Sequence, residues 1–414
     1  MQFRDHTLDN GLRIIAECNP QAYSTAIGFF VNTGARDEQS SVFGVSHFLE
    51  HMVFKGTPNR SAADVNRELD EIGSHSNAFT SEEHTVYYAA VVPEYQTHVV
   101  DLIADILRPS LREDDFETEK KVIIEEILKY DDQPPFGAHE KCMADYFGQH
   151  PLGHNVLGTV DSVTALTAKQ MRDYFQRRYS PENIVLAAAG NVEFKQLVHD
   201  ANECCGSWEP FATQRVMQPP APNATAHVIH RDNVAQQYVV QISGAPSATD
   251  ADRFAQRLLA AMFGDDTGSR LYWALIDRGL AEYAATCTYE FQDCGITMTF
   301  LSCDPDATAD NLEVLHQLQL QIGDSGVTED ELQLAKSKVC SQIVRRSERP
   351  MSRLFSVGNN WLQRGEYRTV AEAVSNYQAV TVDDIARLAS KFPFHENAMV
   401  AAGPLANIPE LHSA

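Results

Sequence analysis

The sequence is short of basic residues. Its 414 residues include 33 lysines and arginines against 57 aspartates and glutamates, so the formal net charge is −24 at pH 7. Binding to nucleic-acid phosphates requires clustered lysine and arginine, and this composition therefore argues against a nucleic-acid partner. The acidic surface that it predicts could attract basic peptides or could simply keep the chain soluble.

Long apolar runs and Cys-x-x-Cys pairs are missing as well. No uncharged run reaches the roughly 18 apolar residues of a membrane-spanning helix, so no membrane partner is expected. The first residues, 1–5, lack the apolar core of a signal peptide, which favours a cytoplasmic protein. The eight cysteines contain no Cys-x-x-Cys pair, and we interpret them as idle thiols in a reducing compartment.

Hydrophobic residues make up 43% of the chain, which is ample for packed cores. The length allows two or three domains of roughly 100–200 residues each. The Asn10-Gly11 pair is typical of a type I′ hairpin turn. Apolar periodicity predicts strands over residues 12–18, 24–33, 73–80, 85–92 and 183–189, and helices over 61–72, 93–107, 114–130, 137–147 and 167–178.

The two halves of the chain share a pattern. Thr167 begins a predicted helix and Asn183 opens a strand, and the pair is sixteen residues apart. Thr381 and Asn397 repeat this arrangement at the same distance in the second half. We interpret the similarity as an ancient duplication. The alternative is a chance likeness between two αβ units.

A change of composition marks the predicted linker. Residues 209–222 contain several closely spaced prolines and show no apolar periodicity. We therefore predict an N-terminal domain over 1–208 and a homologous C-terminal domain over 223–414. The predicted fold class is α+β, and each domain is expected to hold a mainly antiparallel β-sheet backed by helices.

The pattern His-x-x-Glu-His occurs once, at residues 47–51. It lies in an apolar run, 42–54, that predicts a helix with His47 and His51 one turn apart and Glu50 between them. Two imidazoles at this spacing can hold one metal ion, and the carboxylate can reach a metal-bound water. The order is the inverse of the usual zincin motif. The alternative is a solvated helix face with two neutral histidines.

The repeat provides an internal control on this pattern. The segment of the second half that corresponds to the motif helix lies near residues 253–258 and contains no histidine. The fold therefore does not require histidine there for packing. This comparison weakens the purely structural interpretation of His47 and His51.

A catalytic zinc needs a third protein ligand, and a carboxylate from another helix is a natural source. The predicted helix over 114–130 carries Glu117, Glu119, Glu125 and Glu126. Glu119 and Glu126 are two turns apart on one face, whereas Glu125 points about 100° away from Glu126. Helical spacing alone does not choose among these carboxylates.

Several further motifs lie along the chain, at residues 47–57, 72–73, 77–81, 85–88 and 122–126. Together they resemble the pitrilysin/insulinase family of inverted zinc metallopeptidases, in the branch of the mitochondrial processing peptidase and small bacterial relatives. The resemblance covers the whole length. It implies a mitochondrial-processing-peptidase/LuxS-like metallohydrolase fold and a cytoplasmic bacterial zinc metalloendopeptidase.

The resemblance also implies roles for individual residues. One Zn²⁺ per chain would be held by His47, His51 and Glu126. Glu50 would be the general base that activates a zinc-bound water, and Glu119 would be an acidic residue that supports the site.

The resemblance further implies where a substrate would lie. Asn77, Ala78 and Phe79 match the family's edge strand, against which an extended peptide pairs as an added strand. The alternative for this stretch is an ordinary sheet edge.

The sequence departs from the family in its second half, where an arginine and a tyrosine seven residues apart usually stabilise the transition state. Tyr283 matches the tyrosine, but Ile276 stands at the arginine position. Either Arg278 substitutes after a local shift, or a partner subunit supplies the pair. Short-chain members form dimers that enclose a chamber. We therefore expect a dimer, preferably with a related metal-free subunit that carries the pair, and a homodimer stays open.

Two other functions compete with peptide hydrolysis. One is a non-catalytic scaffold, like the core subunits of respiratory complexes that share this fold. The other is a peptide-maturation subunit that works only in a heteromer. The complete set of His47, Glu50, His51 and Glu126 favours the enzyme, because scaffolds usually lose part of it.

Overall fold

A computed structural model describes residues 1–408 of the chain. The strands are, in chain order, β1 (Gln2–Thr7), β2 (Arg13–Cys18), β3 (Thr25–Val31), β4 (His75–Thr80), β5 (Thr85–Val91), β6 (Ile184–Gly190), β7 (Ala226–His230), β8 (Gln237–Ala245), β9 (Tyr283–Glu290), β10 (Gly295–Cys303) and β11 (Asn397–Gly403).

The helices lie between these strands, several of them in succession, and within residues 1–408 none is long and apolar enough to cross a membrane. They are α1 (Val45–Val53), α2 (Ala62–Glu71), α3 (Gln96–Ile106), α4 (Glu113–Asp132), α5 (Ala138–Phe147), α6 (Val160–Ala165), α7 (Ala168–Arg178), α8 (Phe194–Cys205), α9 (Arg253–Gly264), α10 (Thr308–Ser325), α11 (Glu329–Ser347), α12 (Pro350–Arg364), α13 (Val370–Ala379) and α14 (Val382–Lys391).

The chain forms two units, each built on one sheet. The first unit comprises residues 1–129, 154–216 and 345–368, and the second comprises the remaining segments. The first sheet has the strand order β1-β2-β6-β3-β5-β4, and the second has the order β7-β11-β8-β10-β9. One neighbouring pair in each sheet is parallel, β2 with β6 and β7 with β11, and the others are antiparallel.

The two sheets repeat one topology. If β2 to β6 are matched in order to β7 to β11, the two strand orders and the parallel and antiparallel senses of all neighbouring pairs agree. Helix α9 stands between β8 and β9 as α1 stands between β3 and β4. The predicted α+β class and the duplicated topology are confirmed.

Each half of the sequence contributes one helix to the unit built mainly from the other half. Helix α12, from the second half of the sequence, packs on β3 and β6 in the first unit, and α5, from the first half, packs on β8 and β11 in the second. The two helices are equivalent in the repeat, because α5 follows α4 as α12 follows α11. The predicted ranges 1–208 and 223–414 describe the two repeats along the sequence, and as domain boundaries they stay a prediction. The boundary between units after residue 216 falls inside the predicted linker, 209–222, and residues 409–414 lie outside the described part.

The predicted hairpin exists, but its type I′ turn is wrong. A type I′ turn needs a positive φ at both central residues, and here Gly11 has a φ of +87° whereas Asn10 does not have a positive φ. The amide of Gly11 instead donates to the carbonyl oxygen of Leu8 at 2.9 Å. The Asn10 side chain is used elsewhere, since its Nδ2 donates to the carbonyl oxygen of Cys205, the last residue of α8, and to that of Trp208 beyond it.

A buried ion pair joins the exchanged helix α12 to the first sheet. Arg353 of α12 donates through Nε to Glu17 Oε1 of β2 at 2.7 Å, and through a second guanidinium nitrogen to Oε2. The Tyr367 hydroxyl donates to the same carboxylate at 2.6 Å. Glu17 and Arg353 are 2% and 6% exposed. A charge left without its partner at this depth is costly.

We expect Arg353→Met to lower the free energy of unfolding of the first unit by about 3–5 kcal/mol, because it leaves the Glu17 carboxylate buried without its cation. Urea titration followed by tryptophan fluorescence measures this change, since Trp361 lies on the same helix. Lys169→Met, which removes an exposed pair with Asp173, should leave the midpoint unchanged. Equal effects of the two variants would contradict the prediction.

Candidate metal centre

Helix α1 carries the His-x-x-Glu-His motif and begins at Val45, three residues later than predicted. Gly44 has a left-handed φ of +88°, and a Cβ atom there would lie 2.6 Å from the carbonyl oxygen of Leu157. This turn therefore requires glycine, and it sets the start of the helix. The Glu38 carboxyl group accepts hydrogen bonds of 2.7 Å from the amides of Gly44 and Ser46, which satisfies two amides of the first turn.

One face of α1 carries the two histidines, and the opposite face packs into the core. The imidazoles of His47 and His51 share one face, with ring centroids 4.7 Å apart, and their side chains are 10% and 25% exposed. A separate apolar stripe from the predicted apolar run lies on the other side. Its members, all buried in the core of the first unit, are Val42, Val45, Leu49 and Met52.

Glu126 of α4 faces the two imidazoles. Its Oε2 lies 3.8 Å from Nε2 of His47 and 3.5 Å from Nε2 of His51. Ligand atoms bound roughly 2.1 Å from a tetrahedral zinc are about 3.4 Å apart, so these distances suit one zinc ion. Two imidazole nitrogens and one carboxylate oxygen also form a donor set that zinc takes in catalytic sites. Glu125, the neighbouring alternative, is exposed.

Glu119 lies one layer behind these groups. One oxygen of its carboxylate accepts from Nδ1 of His51 at 2.9 Å, and the other is 2.6 Å from the ammonium group of Lys55. This contact makes Nδ1 of His51 the protonated nitrogen and leaves Nε2 to face Glu126. Burial opposes ionisation of Glu119, but the bonds from His51 and Lys55 lower the pKa of its carboxyl group overall.

The two histidines titrate differently. Burial, with a smaller contribution from nearby His51, lowers the pKa of His47 to about 4, so its imidazole is neutral at neutral pH, as a metal ligand requires. Burial also lowers the pKa of His51, but the surrounding carboxylates of Glu119, Glu126 and Glu50 outweigh it and raise the value overall. Metal binding at this site therefore has to displace a proton from His51 when that ring is charged.

Glu50 lies on α1 beside the histidines and is not one of the three clustered donors. Its Oε2 accepts a hydrogen bond of 2.6 Å from the hydroxyl group of Thr80, at the end of β4. Burial raises the pKa of Glu50, and the Thr80 bond partly offsets that rise. The carboxylate is thus partly desolvated and held at one oxygen, a suitable state for a proton acceptor.

The residues predicted to receive a substrate, Asn77 to Phe79, lie on β4 at the edge of the first sheet, where β5 is the neighbouring strand. Asn77 is exposed, and Ala78 packs in the core that contains α1. The ring of Phe79 turns to the opposite face, where its centroid is 5.8 Å from that of Phe355 on α12. The period-two alternation of a strand therefore directs Ala78 and Thr80 toward the metal helix.

The second-half candidates belong to the second unit. Tyr283 opens β9 and is 50% exposed. Ile276 ends a π-helical turn and packs against the core of that unit. Arg278 is exposed, whereas Arg270 donates to the carboxylate of Glu331 at 2.8 Å and is held there.

Sequence reasoning missed three residues that support the site: Glu38, Lys55 and Thr80. Lys55 follows His51 by one helical turn, so spacing could have indicated it. Thr80 shares a strand face with Ala78, which alternation could have indicated. Glu38 precedes the helix by a loop, and no local pattern predicts its contact with the first amides.

Comparison with known proteins finds relatives along most of the chain. The family model described as insulinase (peptidase family M16) matches residues 13–160, and that of the peptidase M16 inactive domain matches residues 165–339. An uncharacterised zinc protease of Mycobacterium leprae is 33% identical over 97% of this chain and 92% of its own length.

Two further relatives extend the comparison. A probable mitochondrial-processing peptidase subunit beta of Arabidopsis thaliana is 28% identical over 98% of this chain and 79% of its own length. The crystal structure of a protease from Helicobacter pylori matches with a TM-score of 0.91 at 21% identity, over 97% of this chain and 99% of that one. The latter similarity shows a shared fold.

Proposed function

Because the chain belongs to the insulinase family of peptidases, M16, in its mitochondrial-processing-peptidase-like branch, we propose that it is a zinc-dependent endopeptidase acting on extended or unfolded peptides. The observation that carries the proposal is the convergence of His47, His51 and Glu126, with Glu50 beside them. A non-catalytic scaffold of the same fold would have no need to keep this set complete.

The residues of the chain divide the work of hydrolysis. His47, His51 and Glu126 would hold the zinc ion, and Glu119 would orient His51. When bound, zinc lowers the pKa of water and polarises the scissile carbonyl group. Glu50 takes a proton from the attacking water and later delivers it to the leaving amine, so no covalent bond forms between enzyme and substrate.

The edge of β4 is the proposed binding place of the peptide. Asn77, Ala78 and Phe79 would pair through their main-chain groups with an extended substrate, which gives affinity without demanding much of its sequence. Ala78 and Thr80 face α1, and a peptide added to this edge would therefore run beside the helix that carries Glu50.

We also propose that the working enzyme is a dimer with a second, related subunit. A transition state of this kind needs donors aimed at the developing oxyanion, and Ile276 occupies the family's arginine position. Tyr283 is the remaining member of the pair. Removing one such donor typically costs about 10²–10³ in turnover.

The isolated chain is therefore expected to bind one zinc ion and to cleave a quenched peptide about 10²–10³-fold more slowly than with a related subunit that carries the arginine and tyrosine. Metal analysis gives the zinc content and light scattering gives the size of the assembly. Turnover is measured for the chain alone and for the chain mixed with the related subunit. A fully active homodimer would contradict the proposal that a second, related subunit is needed. In that event Arg278→Ala should lower the activity more than Arg270→Ala, because Arg270 is already paired with Glu331.

A further inference from the structure

We infer that Thr80 is a positioning residue that fixes the carboxylate of the general base; this inference rests on the proposed function of Glu50. Thr80 is the last residue of β4, thirty positions from Glu50 in the sequence. Its Oγ1 donates to Oε2 of Glu50 at 2.6 Å. A short hydrogen bond to a charged acceptor is stronger than one between neutral groups.

The neighbouring hydroxyl group of Thr85 has an acceptor of its own. Thr85 Oγ1 lies 3.4 Å from Thr80 Oγ1, but Thr85 donates its single proton to the carbonyl oxygen of Thr33 at 2.9 Å. An ionised carboxylate can only accept, so the proton between Thr80 and Glu50 comes from Thr80. The two threonine hydroxyls therefore serve different acceptors, and Thr80 is committed to the base.

This bond restricts rotation of the carboxylate. Oε2 of Glu50 is tied to β4, and in the described part of the chain Oε1 receives no hydrogen bond, so Oε1 is the oxygen left to take a proton. A base held in one orientation meets the reacting atom without first losing rotational freedom. Without the Thr80 hydroxyl, the buried carboxylate would sample several orientations, few of them productive.

The contact also joins the proposed peptide-binding strand to the base. Thr80 shares its strand face with Ala78, which packs against the core around α1, and it is adjacent in sequence to Phe79. A peptide paired along the edge of β4 is thereby positioned by the same strand that positions Glu50. Thr80 sets the register between the substrate and the group that removes the proton.

The test uses Thr80→Val, which keeps the shape of the side chain and removes the donor. In the zinc-loaded full chain, in whichever assembly gives the highest wild-type turnover, kcat should fall about 10–100-fold while KM and zinc content stay unchanged. Thr80→Ser restores a donor at the same place and should recover most of kcat. Thr85→Val removes the neighbouring hydroxyl, which does not contact Glu50, and should leave kcat unchanged.

A second readout does not depend on activity. Crystal structures of metal-free Thr80→Val and Thr80→Ser should show the Glu50 carboxylate in more than one orientation in the valine variant and in one orientation in the serine variant. A single, unchanged orientation in Thr80→Val would overturn the inference, whether or not the wild type hydrolyses peptides.

The kinetic outcomes separate two failures. Wild-type kcat in Thr80→Val, no recovery in Thr80→Ser, or an equal loss in Thr85→Val would each overturn the positioning role. A zinc-loaded wild type that hydrolyses no peptide in any assembly would contradict the proposed function, and the orientation of Glu50 in the crystals would then still decide whether Thr80 fixes it.

Discussion

Glu50→Gln should keep one zinc ion per chain and lose about 10²–10⁴-fold in peptide turnover. Glutamine has nearly the same shape and can still accept the Thr80 hydrogen bond through its carbonyl oxygen, but it cannot take up a proton. The clustered donors His47, His51 and Glu126 are unchanged in this variant. Binding of metal and removal of the proton are therefore expected to separate.

Metal analysis and kcat with a quenched peptide, measured on the same preparation, check this separation. The matched control is Glu125→Gln, which makes the same chemical change at an exposed position of α4 and should alter neither quantity. Turnover at the wild-type level in Glu50→Gln would show that another group removes the proton. Loss of zinc from this variant would show instead that Glu50 is a ligand.

The metal-bearing helix was predictable because its signals are local. The histidine spacing and the apolar stripe both follow from 3.6 residues per turn, and the burial of Leu49 and Met52 agrees with them. Its start was predicted three residues early, because Val42 continues the apolar pattern across Gly44. The close approach of Leu157 that makes Gly44 necessary comes from a segment more than a hundred residues away.

The exchanged helices could not be predicted from the sequence. Apolar periodicity predicts that α12 has an apolar face to bury, but it does not predict which of the two sheets will cover that face. The contact between Glu17 and Arg353 spans 336 positions, and neither residue belongs to a recognisable pattern. The proline-rich linker suggested two domains that are each continuous in sequence. In the structure, the equivalent helices α5 and α12 each pack in the unit built mainly from the other half of the sequence.

The second half of the chain shows the limit of matching residues by spacing. The match by spacing put Ile276 at an arginine position and left Arg278 as the substitute. The structure distinguishes Arg278 from the nearby Arg270 by its surroundings, because Arg270 is held by Glu331 and Arg278 is exposed. Spacing carries no information on whether a guanidinium group is already paired.

The second large effect is expected from replacing Glu126, the one of two adjacent glutamates on α4 that faces the histidines. Glu126→Gln should weaken zinc binding by more than about 100-fold, beyond the 10–100-fold typical of residues that only orient a ligand. Its Oε2 is 3.5 Å from Nε2 of His51, at the separation expected of two atoms on one zinc ion, and an amide oxygen is a poorer zinc donor than a carboxylate.

Titration of zinc against a chelator, with the fraction bound measured for each variant, gives an order that the geometry predicts. Glu126→Gln should lose the most affinity. Glu119→Gln should lose about 10–100-fold, because it keeps the three donors and weakens only the partner of His51. Glu125→Gln should lose none, since its side chain is exposed and points away. A larger loss in Glu125→Gln than in Glu126→Gln would mean that the helix presents its other face to the metal, and an equal loss in Glu119→Gln and Glu126→Gln would make Glu119 a direct ligand.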